Sequence, residues 1–181
     1  KYLKTKGKVV VVTGDGEFQE GQIYESLQTI SHQKLNDIIV IIDHNKIQSS
    51  QFVKKIIDLK DLKTKIKSFG WHVERCDGHN FRKLHKVFNN FSKIKNKPKL
   101  LIADTVKGKG VSFMEHPGVM KKQKIYTWHA GAPNDQDFIK AQNELINKIK
   151  IKFNKKLLPL PKIININNKK ELNLNSEIEI H

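Results

Sequence analysis

The 181-residue sequence lacks the features that indicate a membrane or secreted protein. No apolar run reaches the length of about 18 residues that a helix needs to cross a bilayer. The first residues contain no apolar stretch of the kind found in a secretory signal. The single cysteine, Cys76, cannot form an internal disulfide bond, so nothing requires an oxidising compartment. We therefore expect a soluble, cytoplasmic protein that does not bind a membrane.

Arginine is almost absent, since Arg75 and Arg82 are the only two in the chain. The formal net charge of +16 therefore comes from lysine. A basic surface can bind nucleic acid by releasing counterions from phosphates, but the arginine fork is the group that reads guanine and clamps phosphates in pairs. Because the lysines are spread along the whole chain, we interpret them as a solvated surface and predict no nucleic-acid partner.

Strand and helix patterns alternate through residues 1–150, which we interpret as one domain. Two β-branched runs, Lys8–Thr13 and Ile38–Ile42, are typical of buried parallel strands. Apolar residues between Glu17 and His32 recur at helical spacing and complete a βαβ unit. The pattern continues with helices expected over 58–69, from 79 or 80 to 91, and from 134 past 145, and with strands expected over 71–75 and 100–106. This alternation predicts a Rossmann-like, doubly wound, mostly parallel α/β sheet.

Residues 151–181 have a different composition, rich in Lys, Asn, Ile and Leu. Pro159 and Pro161 break any helix there, and the apolar residues follow no clear period. We predict a weakly specified extension to the domain.

Polar residues follow the two strongest predicted strands. Gly14, Asp15 and Gly16 end the first strand, and Asn45 follows the second. Because the carboxyl ends of parallel strands meet at one edge of a sheet, we expect Asp15 and Asn45 to be neighbours. The glycines allow close approach of a phosphate, and the following helix offers N-terminal N–H groups. Carboxylate and amide oxygens suit Mg²⁺ or Ca²⁺, and the carbonyl of Ile47 could add a ligand. These residues predict a site for a metal-bound diphosphate.

Other motifs fail on spacing. The dinucleotide fingerprint needs a third glycine where the chain has Gln19. The loop Lys107–Gly110 (KGKG) lacks the Ser or Thr that follows the lysine of a P-loop. No common zinc-ligand spacing fits the remaining candidates, which are His72, Cys76, His79 and His85.

Six segments together resemble the separately encoded N-terminal subunit of transketolases, which binds thiamine diphosphate. Two contain the predicted site: Gly14–Gln22 reads GDGEFQEGQ, and Asp43–Gln48 reads DHNKIQ. The others read FGW at 69–71, DGH at 77–79, KGKGVSFME at 107–115 and WH at 128–129. The resemblance covers about residues 8–145 and implies the thiamine-diphosphate-binding fold in incomplete form.

The resemblance also implies a role for each matching residue. Asp15, Asn45 and the carbonyl oxygen of Ile47 would bind Mg²⁺. His129 would contact the diphosphate and face the donor sugar, which makes it the candidate catalytic residue. The full set expected to bind thiamine diphosphate is Gly14, Asp15, Gly16, Glu17, Asn45 and His129.

The implied reaction is transfer of a two-carbon ketol unit between sugar phosphates, as in the pentose phosphate reactions of carbohydrate metabolism. In the family, a glutamate of a pyrimidine-binding domain activates the cofactor, and this chain has no matching domain. The segment that precedes the GDG strand in the family is also missing, so the chain looks truncated at its N-terminus. We therefore expect it to need a pyrimidine-binding subunit or domain, in an oligomer.

Two positions match the subunit interface of the family. Glu20 and Glu25 correspond to a carboxylate network between cofactor sites, although Glu25 fits a solvent-facing helical position equally well.

Two other functions stay open. One alternative function is the α subunit of a thiamine-dependent 2-oxo-acid dehydrogenase, against which the KGKG loop and the WH pair argue. The other is a non-catalytic remnant of such a domain.

Overall fold

The computed structural model describes residues 7–161, and its central element is a four-stranded parallel sheet with strand order β1-β2-β6-β5. In chain order the strands are β1 (Val9–Gly14), β2 (Ile38–His44), β3 (Ile47–Gln48), β4 (Gln51–Phe52), β5 (His72–Asp77) and β6 (Lys99–Asp104). The helices are α1 (Gly21–His32), α2 (Val53–Ile56), α3 (Leu62–Ser68), α4 (Phe81–Lys93), α5 (His116–Gln123) and α6 (Asp135–Lys155). The predicted parallel α/β architecture is confirmed.

Helices cover both faces of the sheet, as in a doubly wound fold. Side chains of β6 alternate between the two faces, and all four from Leu100 to Ala103 are buried. Leu100 and Ile102 pack with α1 and α3, which contribute Leu27 and Ile66. Leu101 and Ala103 pack on the other face, in a second cluster with Val87 and Phe91 of α4. Burial on two faces explains why the strands are continuous apolar runs.

Strand β1 lies at one edge of the described sheet and pairs there with β2. Its four valines, Val9–Val12, are between 40% and 68% exposed, although they are as apolar as the buried strands. The register places Gly14 opposite Asp43, so both strands end at the same level.

The segment between β2 and β5 differs from the prediction in two ways. Ser49 and Ser50 form the turn of a short antiparallel hairpin between β3 and β4, where no strand was predicted. The helix predicted over 58–69 begins only at Leu62. It starts late because the Asp58 carboxylate accepts the N–H of Lys60 at 2.9 Å, and Asp61 then caps α3 by accepting the N–H of Thr64 at 3.2 Å.

Two further helices lie toward the C-terminus. Helix α5 lies between β6 and α6, where no helix was predicted. By their contacts, residues up to Ile139 form one unit and residues from Lys140 form another, whose described part is the rest of α6 and a short segment after it. Helix α6 runs five residues into the predicted 151–181 extension, and residues 162–181 lie outside the described part. No helix between residues 7 and 161 is long and apolar enough to span a membrane.

Candidate functional site

The two polar segments predicted to meet do meet at the carboxyl ends of β1 and β2. Asp15 is 1% exposed and Asn45 is 7% exposed, so both polar side chains are buried at this edge of the sheet. The Asp15 carboxylate oxygen Oδ2 accepts the backbone N–H of Lys46 at 2.5 Å. Lys46 has a positive φ of 69°, which turns the chain after Asn45. A hydrogen bond from the second segment therefore fixes Asp15.

The side chain of Asn45 is held by its neighbours in the chain. Its Nδ2 donates to Asp43 Oδ2 at 2.9 Å, and its Oδ1 accepts the backbone N–H of Ile47 at 3.0 Å. The other oxygen of Asp43 accepts a hydrogen bond from the hydroxyl of Thr105, which follows β6. Residues at the ends of β2 and β6 and at the start of β3 thus fix the position of the amide oxygen.

Burial raises the pKa of Asp15 above its usual value, because the ionised carboxylate loses its hydration. The N–H of Lys46, the nearby His44 and the N–H of Gly16 act in the opposite direction, whereas Asp43 adds to the rise. A buried ionised carboxylate needs a compensating positive charge. A divalent cation at Asp15 would supply that charge.

The glycines of the GDG turn have different roles. A Cβ atom on Gly16 would lie 2.9 Å from both Cγ and Cδ of Gln48, so this position has little room for a side chain. The N–H of Gly14 donates to the carboxylate of Glu17 at 2.5 Å. The N–H group of Gly14 therefore already has an acceptor within the turn.

The helix predicted to follow the GDG turn directly begins later than expected. Residues Gly16–Gln19 form a 3-10 turn, with the N–H of Phe18 bonded to the carbonyl of Asp15 at 3.1 Å. Helix α1 then begins at Gly21. The N–H groups nearest to Asp15 therefore belong to the 3-10 turn and not to the N-terminus of an α-helix. The turn forms here because Phe18 packs into the core and draws the chain inward.

A single cleft of about 370 Å³ brings the predicted site together. All seven predicted site residues line it, although His129 is 114 positions from Asp15 in the chain: Gly14, Asp15, Gly16, Glu17, Asn45, Ile47 and His129. Glu20 also lines this cleft, whereas Glu25 is exposed on α1, and their part in a subunit interface stays a prediction. The lining residues that the sequence analysis did not assign are Asp43, Gln48, Ser49 and Lys107.

Lys107 is the lysine that lines the cleft with the GDG turn. Its backbone N–H donates to Nδ1 of the buried His116 at 3.2 Å, which anchors the loop between β6 and α5. The next residue, Gly108, has a φ of +79° and lies against the backbone of Met114. The loop is therefore tightly packed, and it brings Lys107 to the wall of the cleft, where its ammonium nitrogen lies 5.7 Å from the ring centroid of Tyr126.

The segment carrying His129 is docked beside the hairpin. The N–H of Tyr126 donates to the carbonyl of Ser50 at 2.8 Å, and Tyr126 is buried with Ile47 in a small apolar cluster. Trp128 packs against this cluster and lies edge-on to Phe113, with ring centroids 5.5 Å apart. His129 itself is exposed at the opening, where a substrate could reach it.

The donors in the cleft fit a magnesium-bound diphosphate. Within residues 7–161 no group of three or more His, Cys, Asp or Glu side chains could hold a metal, so the ion would also need amide, carbonyl and phosphate oxygens. Asp15 and Asn45 supply one carboxylate and one amide oxygen. Gln48 adds Oε1, a buried acceptor without a hydrogen-bond partner among the described residues. Such an oxygen gains a partner when a ligand or its hydration water enters the cleft.

A second polar cluster lies at the ends of β2, β5 and β6. Arg75 binds both carboxylate oxygens of Asp104, from Nε and Nη2, each at 2.7 Å, and His44 Nδ1 lies 2.9 Å from the same carboxylate. The Arg75 guanidinium, aided by His44, lowers the pKa of Asp104 to about 2. This ion pair links the strand ends beside the cleft and keeps Asp104 ionised.

Comparison with known proteins identifies the family to which this chain belongs. The family model described as "Transketolase, thiamine diphosphate binding domain" matches residues 4–154. The chain belongs to this transketolase family. Its parallel α/β sheet is part of the family's thiamine diphosphate-binding domain, which agrees with the resemblance of the six segments.

Curated relatives of this transketolase-family chain are longer than it is. One subunit of the apulose-4-phosphate transketolase of Phocaeicola vulgatus is 34% identical over 149 residues, which are 82% of this chain and 50% of the relative. Transketolase-like protein 2 of Bos taurus is 33% identical over 168 residues, 90% of this chain and 25% of the relative. The chain thus spans half or less of the length of these relatives.

Solved transketolase structures share the fold. The transketolase of Campylobacter jejuni superposes with a TM-score of 0.58 at 28% identity, over 63% of this chain and 18% of that one. A transketolase from Pichia stipitis, at 21% identity, gives a TM-score of 0.56 over 83% of this chain and 25% of that one. The described sheet therefore corresponds to part of a larger enzyme fold.

Proposed function

We propose that this chain supplies the magnesium-diphosphate half of a thiamine diphosphate site, in an enzyme that transfers a two-carbon ketol unit between sugar phosphates. The observation that carries the proposal is the cleft of about 370 Å³ lined by all seven predicted site residues. Membership of the transketolase family supports the cofactor, since the family's description names thiamine diphosphate.

Five polar groups of the cleft have a role in this proposal. Asp15, the amide oxygen of Asn45 and the carbonyl oxygen of Ile47 hold Mg²⁺, whose hard oxygen preference they match. Lys107 offsets the negative charge of the diphosphate. His129, at the opening, donates a hydrogen bond to a phosphate or to a substrate oxygen. The bound cofactor supplies carbanion chemistry, while the protein binds it, orients it and limits its contact with water.

A partner completes the site. One curated relative is named as a subunit of an apulose-4-phosphate transketolase, which supports a second, pyrimidine-binding subunit for this chain as well. The same name supports a phosphorylated sugar as the substrate class. The family match favours ketol transfer over the 2-oxo-acid dehydrogenase alternative. If the chain does not bind the cofactor, the alternative of a non-catalytic remnant remains. The following experiment tests for cofactor binding.

Isothermal titration calorimetry of the full chain with thiamine diphosphate tests the proposal, with and without Mg²⁺ and with and without a candidate pyrimidine-binding subunit. We expect binding that requires Mg²⁺ and that Asp15→Asn abolishes. The matched control is Asp61→Asn, because Asp61 is exposed, lies outside the cleft, and caps α3 in a way that asparagine can reproduce. Equal binding by both variants, or no binding even with the partner present, would contradict the proposal.

Thermal unfolding separates loss of the site from loss of the fold. The pKa of Asp15 is higher in the folded state than in the unfolded state. Ionisation of Asp15 therefore opposes folding, and this cost grows as the pH rises from the unfolded-state pKa to the folded-state pKa. At neutral pH Asp15→Asn removes this unfavourable charge, while the asparagine oxygen can still accept the N–H of Lys46. The cofactor-free variant should therefore unfold at a temperature no lower than that of the unaltered chain.

A further inference from the structure

A second and larger cavity lies beside the hairpin, distinct from the cofactor cleft. Its volume is about 600 Å³, within the usual range of roughly 300–1,000 Å³ for small-ligand sites. Phe52, Val53 and Leu59 give it an apolar lining, and Val53 and Leu59 are themselves buried. Nothing in the proposed transketolase chemistry uses this cavity.

The chain segment after β2 separates the two cavities. Asp43, Asn45 and Ile47 line the cofactor cleft, whereas His44 and Lys46 line the second cavity. Side chains alternate along the end of β2, and the positive φ of Lys46 then turns the chain, so the two sets face in different directions. A ligand of the second cavity therefore need not displace the diphosphate.

The charge around the second cavity is strongly positive. One acidic residue lines it, Asp58, and its carboxylate lies 3.3 Å from the ammonium group of Lys60. The lysines that line the cavity are Lys46, Lys54, Lys55 and Lys60, and all four are exposed. Lysine stems can pack along apolar surface while their ammonium groups meet an anion at the rim.

We propose that this cavity binds a small organic anion with an apolar body, such as an aromatic or branched carboxylate, sulfonate or phosphate. The apolar body fills the space beside Phe52, Val53 and Leu59, and the anionic group meets the lysines. A wholly apolar ligand would lose this charge complementarity, and a small inorganic anion would leave the apolar surface uncovered.

The probe that tests this is 8-anilinonaphthalene-1-sulfonate, an aromatic anion whose fluorescence rises in apolar surroundings. We expect one bound molecule per full chain. Reversing two rim charges in Lys54→Glu/Lys55→Glu should weaken binding by about tenfold. The control Lys86→Glu/Lys93→Glu changes the net charge equally on exposed positions of α4, outside the cavity, and should change the affinity less than about twofold.

Two further measurements identify the surface that binds the probe. The uncharged analogue N-phenyl-1-naphthylamine should respond to the Lys54→Glu/Lys55→Glu change by less than about twofold, because it has no group that meets the lysines. Thiamine diphosphate with Mg²⁺ should leave the bound sulfonate in place. Any of three results would overturn the proposal. The first is an equal loss of affinity in both double variants. The others are binding of several sulfonates per chain, as expected from the exposed valines of β1, and displacement of the sulfonate by the cofactor. The stoichiometry and the responses of the lysine variants do not depend on whether the chain binds thiamine diphosphate, and the displacement measurement is made only if calorimetry shows that it does.

Discussion

Replacing Gly108 by alanine tests whether the loop that carries Lys107 is as tightly built as its geometry indicates. Gly108 has a φ of +79°, in the region that residues with a side chain rarely adopt. An alanine Cβ would lie 2.1 Å from the carbonyl oxygen of Met114 and 2.9 Å from the hydroxyl oxygen of Tyr126. Both distances are too short, and one of the two groups is backbone, so the loop must move.

The expected loss of stability has two parts. The left-handed backbone costs about 1–2 kcal/mol for a residue other than glycine. Moving Met114 away also breaks the bond that Tyr126 donates to its carbonyl at 3.0 Å, which costs about 0.5–1.5 kcal/mol. The sum is about 1.5–3.5 kcal/mol. In a domain of this size that lowers the midpoint of thermal unfolding by about 3–14 °C.

Gly131→Ala is the matched control. Gly131 has a similar φ of +87°, but no atom lies within 4 Å of the position that an alanine Cβ would take, so only the backbone cost of about 1–2 kcal/mol applies. Thermal unfolding followed by circular dichroism should show the larger drop for Gly108→Ala. Calorimetry should also show weaker cofactor binding, because Lys107 shifts with its neighbour. Equal drops for the two variants would refute the packing argument.

Two further predictions concern the ion pair and the core. Asp104→Asn should cost about 1–2 kcal/mol at pH 7, allowing for solvent screening, because Arg75 stabilises the ionised carboxylate. Since folding lowers the pKa of Asp104 from 3.8 to about 2, this stabilisation is present above pH 3.8 and is lost as the pH falls to about 2. Urea unfolding between these pH values measures the difference in free energy of unfolding between the two proteins. A difference that stayed constant would contradict the prediction. Trp71→Phe removes the indole N–H that donates to the carbonyl of Leu27 at 3.0 Å in a buried site, at a cost of about 1–3 kcal/mol. Denaturant unfolding measures it, and an unchanged free energy of unfolding would refute it.

The sheet could be predicted because its strands carry strong local signals, whereas the smaller elements do not. Strands β1 and β2 are runs of β-branched residues, which few other structures accommodate. The hairpin of β3 and β4 has only two residues in each strand, too few for any period to be visible. Helix α5 was missed because Pro117 and Gly118 look like breakers, yet proline is well tolerated in the first turn, which is where Pro117 lies.

The site was predictable to the extent that topology determines it. Asp15 and Asn45 could be paired because the ends of adjacent parallel strands must meet. His129 could be placed only by resemblance, since nothing local connects it with the GDG turn. Lys107 was placed in a segment that resembles the family, but the resemblance gave it no role in the site. Its place in the cleft depends on a loop that is folded by Gly108 and His116, and composition alone does not reveal such packing.

Residues 43–47 present odd-numbered side chains to one cavity and even-numbered ones to the other. The length of this segment should therefore be under stricter constraint than most of its individual residues. Deleting or inserting one residue would alter the turn at Lys46 and separate the groups that it brings together, which are Asn45 with Asp43 and the N–H of Lys46 with Asp15. In a set of natural variants, gaps should be rarer here than substitutions at positions 44 and 46.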